Sequence, residues 1–211
     1  SYRGSNWESE VASQSQYGPG QEPGFFIEAG ACDGKYLSNT YMLEKKFNWK
    51  GLLVEPNRFY WKNLTKNRNC EIFKGAIGNK NGIYDFIENT SPELSHLRNT
   101  NVTSKWSEYQ DKKKINKIKV LNFIGLVNQY KIEGDIDYLS LDLEGAELDF
   151  LKSIDFNNIK INVITVEHNF ESQRDQIYKL LTNNGFNRVF EEISQQDDWY
   201  INKQFLNFFP N

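Results

Sequence analysis

Only two cysteines, Cys32 and Cys70, occur in the 211 residues, too few for a disulfide scaffold and spaced for no zinc motif. Both read as reduced thiols with structural roles. Histidine is as scarce, so imidazole chemistry is confined to His96 and His168. No apolar run approaches the ~18 to 20 residues of a membrane span. The opening SYRGSNWESEVASQSQ has no apolar stretch of the signal-peptide kind, and a soluble, cytoplasmic protein is expected. A basic excess is missing too: 25 Lys and Arg stand against 28 Asp and Glu, for a net charge of -3 and a pI near 5.6. That balance excludes the basic face or stripe of a nucleic-acid binder. No sequence repeat or internal linker marks a boundary, and the length suits one well-buried domain.

What the chain does have is concentrated between Phe25 and Pro56, FFIEAGACDGKYLSNTYMLEKKFNWKGLLVEP. The apolar run Phe25 to Glu28 ends in an acid and is followed at once by Gly30 and Gly34. Tyr36 to Phe47 carries apolar residues at helical spacing, and Gly51 to Val54 is a second apolar run ending in Glu55. This order predicts a βαβ unit with parallel strands. Its ligand would lie beyond their carboxyl ends, with the acid after the second strand placed for two ribose hydroxyls. A dinucleotide site needs G-x-G-x-x-G, but counting from Gly30 the second slot is Cys32 and the third is Lys35. The pattern Glu28-x-Gly30-x-x-x-Gly34 instead fits S-adenosylmethionine, which carries a sulfonium and an amino group and no phosphate. Glu28 and Asp33 supply the opposing charge. An NAD-dependent enzyme, or a glycine turn in an unrelated α/β domain, stands as the alternative.

Residues 1–24 read as an N-terminal arm, broken at Gly18-Pro19-Gly20, before a single domain over 25–211. A helix is expected over Asn57 to Lys66, then a strand over Glu71 to Ile77 forming a hairpin with Ile83 to Ile87. The polar stretch 88–117, which contains His96 and Lys112-Lys113-Lys114, reads as an inserted lid, with a mobile loop as the alternative. Leu121 to Tyr130 is helical by spacing. Ile136 to Leu143 is a strand ending in Asp142-Leu143-Glu144-Gly145-Ala146-Glu147. The continuously apolar Ile161 to Val166 is a buried strand with Glu167-His168 at its carboxyl end, followed by a helix over Glu171 to Asn183 and strands at Phe186 to Phe190 and Asp197 to Ile201.

In their order and spacing, GFFIEAGACDGKYLSNT, GLLVEPN, DYLSLDLEGAE and ITVEHN make the chain resemble the FkbM family of S-adenosylmethionine-dependent O-methyltransferases. The resemblance implies a doubly wound, seven-stranded class I methyltransferase sheet with the last strand antiparallel. It implies cofactor contacts at Glu28, Gly30, Asp33, Ser38, Asn39, Glu55 and Ala76, with Gln16 in the arm and Gly34, Pro56 and Asp142 beside them. Some relatives that methylate sugar hydroxyls hold a divalent metal, Mn or Mg, on acids that correspond here to Asp142 and the pair Glu167-His168. Where those relatives have a second acid this chain has His168, which favours Mn²⁺ over a strict Mg²⁺ site. The glycan context is similar to that of the rhamnose methyltransferases of chlorella viruses, which implies a small-molecule or glycan acceptor and, for a viral protein, the host cytoplasm.

Two acid-bearing strand ends in one sheet converge on its switch-point crevice, which places Asp142 and Glu144 at the site. Glu147 reads as an ordinary helix-start acid. Glu167 and His168 are consecutive, so strand alternation sends them to opposite faces unless the strand has already ended. The proton acceptor is Glu144 or His96 if a metal is present, and His168 if none is. A cofactor-binding module without chemistry remains the reading from another class, and the four residues Asp142, Glu144, Glu167 and His168 together weigh against it.

Overall fold

The computed structural model describes residues 22–89, 91–92, 95–97, 114–168 and 172–206. In chain order these form β1 (Phe25–Ala29), α1 (Tyr41–Phe47), β2 (Lys50–Val54), α2 (Trp61–Asn67), β3 (Glu71–Phe73), β4 (Ala76–Ile77), β5 (Gly82–Glu88), β6 (His96–Leu97) and β7 (Lys114–Leu121). There follow α3 (Phe123–Tyr130), β8 (Ile136–Leu141), α4 (Glu147–Leu151), β9 (Ile161–Glu167), α5 (Arg174–Asn183), β10 (Phe186–Val189), β11 (Asp197–Asn202) and α6 (Lys203–Leu206).

Seven strands make one sheet in the order β10-β11-β9-β8-β1-β2-β3. All neighbours are parallel except β11, which runs antiparallel to both β9 and β10. This is the expected sheet, its last strand reversed. Successive side chains leave a strand on opposite faces, so strands covered on both sides must be apolar on both. Ile27 and Ala29 of β1 join one apolar cluster and Phe26 the other; Leu52 and Val54 of β2 are divided from Leu53 in the same way, as are Leu139 and Leu141 of β8 from Tyr138. Helices complete the two layers. Leu43 of α1, Leu64 of α2 and Phe205 of α6 sit in the second cluster, while Leu126 of α3, Phe150 of α4 and Leu181 of α5 sit in the first.

The chain winds outward from β1 through β2 to β3, then returns to place β8 on the other side of β1. The crevice at this reversal is bounded by the carboxyl ends of β1, β2 and β8. The ends touch there: Asp142 N donates to Ala29 O at 3.0 Å, and Gly30 N donates to Val54 O at 3.0 Å. Gly30 has φ +85, and a Cβ on it would lie 2.1 Å from Asp142 O, so no larger residue fits.

Four further strands make a small sheet, β4-β7-β5-β6, beside the crevice. It corrects two expectations. Glu71 to Ile77 is not one strand: β3 stays in the large sheet and β4 crosses to the small one, with Gly75 between them where a Cβ would meet Lys119 O at 2.6 Å. Nor does Ile83 to Ile87 pair with what precedes it. β7 lies between β4 and β5, pairing parallel with the first (Ala76↔Val120) and antiparallel with the second (Gly82↔Val120). A partner that far along the chain leaves no trace in local alternation.

The expected helix from Tyr36 begins only at Tyr41, because Asp33 Oδ1 accepts the amides of Lys35 and Tyr36 in a turn and Leu37 takes φ 61. Of the expected lid over 88–117, residues 90, 93–94 and 98–113 lie outside the described residues, His96–Leu97 is β6, and 114–117 belong to β7. The expected arm lies outside as well, except for 22–24. Among the described residues no helix is long and apolar enough to cross a membrane.

Candidate functional site

A cleft of about 870 Å³ opens where β1, β2 and β8 end. Glu55 lines it and is buried although it is an acid. Cys32 N donates to Oε2 at 2.8 Å and Asn57 N to Oε1 at 2.6 Å, so both carboxylate oxygens are fixed. Burial raises the pKa of Glu55 to about 8, with Asp142 and Glu28 adding to the rise and the two amides opposing it. The neighbouring Cys32 thiol is pushed far above its ordinary range, first by burial and then by the charges of Glu55 and Asp142. It is a neutral, structural thiol, as its sequence context indicates.

Three non-glycine residues with left-handed backbone, Cys32 (φ 47), Leu37 (φ 61) and Glu144 (φ 49), all line this cleft. Such conformations persist where the surrounding structure over-determines them. For Glu144 the cause is visible. Buried Glu147 turns back along the loop and accepts Leu143 N at 2.7 Å and Gly145 N at 3.1 Å, while Gln173 Nε2 donates to Gly145 O at 3.2 Å. Burial lifts the pKa of Glu147 to about 7 despite these amide donors. Glu147 therefore does more than start a helix: it shapes the turn that presents Asp142 and Glu144.

The carboxylates of Asp142, Glu144 and Glu167 bring one oxygen each to within 4.8 Å of one another. His168 does not join them. It follows the last residue of β9 and sets Nε2 3.7 Å from Asp198 Oδ1. Asp198 is held by two hydrogen bonds of 2.8 Å from Arg174. Burial lowers the His168 pKa, against the pull of Asp198. The grouping that the structure makes is therefore Asp142, Glu144 and Glu167, an all-oxygen trio, where the expected metal set was Asp142, Glu167 and His168.

The remaining candidates divide. Gly30, Glu55, Pro56, Ala76, Asp142, Glu144 and His96 line the cleft. His96 is not an exposed loop residue: it is buried in β6 opposite Ile87. Glu28, Asp33, Gly34, Ser38 and Asn39 do not line it. Glu28 Oε2 accepts from Ser38 Oγ at 2.8 Å and Thr40 Oγ1 at 2.5 Å, and Oε1 accepts Asn39 N at 2.9 Å. Arg68 closes this knot, with Nη1 3.4 Å from Glu28, Nε 2.5 Å from Glu44 Oε2, and a further bond to Gly34 O at 3.1 Å. Gly34 lies beneath it, where a Cβ would meet Leu64 at 2.6 Å. These residues brace the loop after β1 from behind. Gln16 lies outside the described residues. Arg68, Asn57, Tyr60, Ser95 and Asp198 escaped the sequence reading, and only their long-range partners give them roles.

The Methyltransferase FkbM domain family matches residues 28–190. The chain belongs to the FkbM methyltransferase family. No curated protein matches it. Among solved structures, the FkbM methyltransferase of Methylobacillus flagellatus KT is similar with a TM-score of 0.50 and 12% identity, over 90% of this chain and 47% of that one. This chain therefore spans about half the length of that protein. Precorrin-6y C5,15-methyltransferase of Geobacter metallireducens GS-15 gives 0.48 and 12%, over 92% and 84% of the two chains. The N-terminal domain of human METTL16, in complex with SAH, gives 0.46 and 11%, over 92% and 66%. The first likeness shows the shared fold.

Proposed function

We propose that this FkbM-family chain transfers a methyl group from S-adenosylmethionine to a sugar hydroxyl, on a glycan or on a deoxyhexose such as rhamnose. The observation that carries the reading is the buried Glu55 carboxylate, pinned by the Cys32 and Asn57 amides at the head of the switch-point cleft. Lone pairs left over on Glu55 accept the ribose hydroxyls. Pro56, Ala76 and Ile77 offer apolar wall for the adenine, and Asp142 supplies negative charge for the sulfonium end. Bound there, S-adenosylmethionine provides an electrophilic methyl group; the S–CH₃ bond breaks as the O–CH₃ bond forms, leaving S-adenosylhomocysteine.

A sugar hydroxyl is a poor nucleophile at neutral pH, so its proton must leave as the new bond forms. His96 lines the cleft and is the acceptor, a role worth ~10²- to 10⁴-fold in rate. Asp142, Glu144 and Glu167 fit a divalent cation: each offers a carboxylate oxygen within 4.8 Å of the others, and an all-oxygen donor set suits Mg²⁺ or Mn²⁺. A cation there supplies positive charge against the developing alkoxide.

Incubation with labelled S-adenosylmethionine and a panel of deoxyhexoses, hexoses, small phenols and peptides, with and without EDTA, tests the reading. Label should pass to a sugar, vanish with EDTA and return with Mn²⁺. Transfer to phenols or peptides alone would overturn the acceptor, and full activity in excess chelator would remove the metal.

A further inference from the structure

The net charge of -3 conceals an uneven distribution. Between Ala31 and Cys70, the stretch that carries α1, α2 and the loops after β1 and β2, eight Lys and Arg stand against three Asp and Glu. Between Asp135 and Tyr200 the balance reverses, with fourteen acids against five bases. All the bases of the first stretch are exposed except Arg68. Its acids are spoken for: Glu55 is buried, Glu44 is paired with Arg68 and Lys45, and Asp33 Oδ1 accepts two backbone amides. A basic face is therefore present on one half of the molecule, where the whole-chain balance had excluded one.

Apolar side chains stand out in the same place. Tyr36 is 73% exposed, Phe59 70%, and Leu37, at φ 61, 38%. Single exposed apolar residues are ordinary, but these gather at one rim. Tyr36 and Leu37 line the cleft together with Tyr60, and the Phe59 ring meets Tyr60 edge-on with centroids 5.1 Å apart. At helical spacing Phe59, Lys62 and Lys66 fall opposite buried Leu64, on the solvent side of α2 and of the turn that leads into it. The loop after β1 lies against the same helix: Asn67 Nδ2 donates to Asp33 O at 2.9 Å and Arg68 Nη1 to Gly34 O at 3.1 Å. Lys35 and Arg58, next in sequence to Tyr36 and Phe59, join the two lysines of α2 around the apolar side chains.

Protruding apolar side chains fringed by cations match an anionic lipid surface, where hydrocarbon lies beneath charged headgroups. Leu37 has no ring to stack on a nucleobase. Three of the four cations are Lys, which is depleted from protein interfaces and lacks the planar fork that suits Arg to nucleic-acid phosphates. We infer that the loops after β1 and β2 dock the chain on an anionic membrane surface, with Tyr36, Leu37 and Phe59 in the interfacial layer and Lys35, Arg58, Lys62 and Lys66 on the headgroups. The docking is independent of which group receives the methyl.

The test sediments the full chain with vesicles of phosphatidylcholine alone and of phosphatidylcholine mixed with phosphatidylglycerol, and titrates a single-stranded RNA oligonucleotide in parallel. Binding should require phosphatidylglycerol and weaken as salt rises. Lys62→Glu combined with Lys66→Glu should weaken it at least about tenfold. Phe59→Ala should weaken it about tenfold, and Phe59→Trp should retain it, with fluorescence that brominated lipid quenches more than the parent's. None of these three positions lines the cleft, and thermal melting should be unchanged in every variant, which reports that they fold. Equal binding to neutral vesicles, no vesicle binding, tighter binding to the RNA than to the anionic vesicles, or indifference to the lysine and Phe59→Ala changes would overturn the inference.

Discussion

The amide of Cys32 donates to Glu55 Oε2 at 2.8 Å, which makes the glycine turn after β1 and the acid after β2 a single unit. The link sets the direction of a pH effect. Burial keeps a proton on Glu55 up to about pH 8, whereas ribose hydroxyls donate best to the ionised form. Cofactor binding should therefore lower this pKa and release a proton, so affinity rises with pH and levels off near 8. Calorimetry of S-adenosylhomocysteine in buffers of different ionisation enthalpy measures the release, and Glu55→Gln should abolish it.

Arg68 is the counter-charge to buried Glu28 and half-buried Glu44, in the knot behind the loop after β1. Arg68→Ala leaves buried Glu28 without its counter-charge, while Lys45 still pairs with Glu44 at 2.8 Å, and should cost about 3 to 5 kcal/mol of stability. Urea unfolding checks this. A loss under about 1 kcal/mol, the range of exposed pairs, would mean that the knot contributes little.

Glu147 holds the Leu143 and Gly145 amides without itself reaching the cleft. Glu147→Ala strips both donors of their acceptor, with an expected cost of about 1 to 3 kcal/mol. It should also weaken Mn²⁺ binding at Asp142, Glu144 and Glu167, read by electron paramagnetic resonance. Unaltered Mn²⁺ affinity would show that the turn keeps its shape unaided.

Stability should also follow pH in a defined way. Burial raises Glu55 to about 8 and Glu147 to about 7, so the folded chain keeps protons that the unfolded chain gives up near 4.5. Their contribution is full below that value and is lost as pH rises through 7 and 8. Glu44 runs the other way: burial opposes its charge, but hydrogen bonds from Lys45, Arg68 and the Asn69 amide bring it down to about 2, so its contribution fades as pH falls through that range. The melting temperature should peak in mild acid and decline toward pH 8, and Glu147→Gln should flatten the decline.

The βαβ unit and the acid-tipped strands were legible because periodicity and glycine spacing are local signals, and Glu55, Gly30 and Asp142 lie where those signals put them. The strand rule also separated Glu167 from His168, although both had been assigned to one metal set. Glu28 was read as a cofactor contact from its residue type alone, and its partner Arg68, forty residues on, had no local signal. Likewise the small sheet was hidden until β7 arrived to divide β4 from β5. What local pattern cannot carry is a partner fixed by tertiary packing.

The most direct test of the account is a calorimetric titration of S-adenosylhomocysteine and of NAD into the full chain and into Glu55→Ala. S-adenosylhomocysteine should bind the parent, NAD should not, and Glu55→Ala should lose about 1 to 3 kcal/mol of binding while remaining folded. Preferential binding of NAD, or S-adenosylhomocysteine affinity that ignores the loss of Glu55, would contradict it.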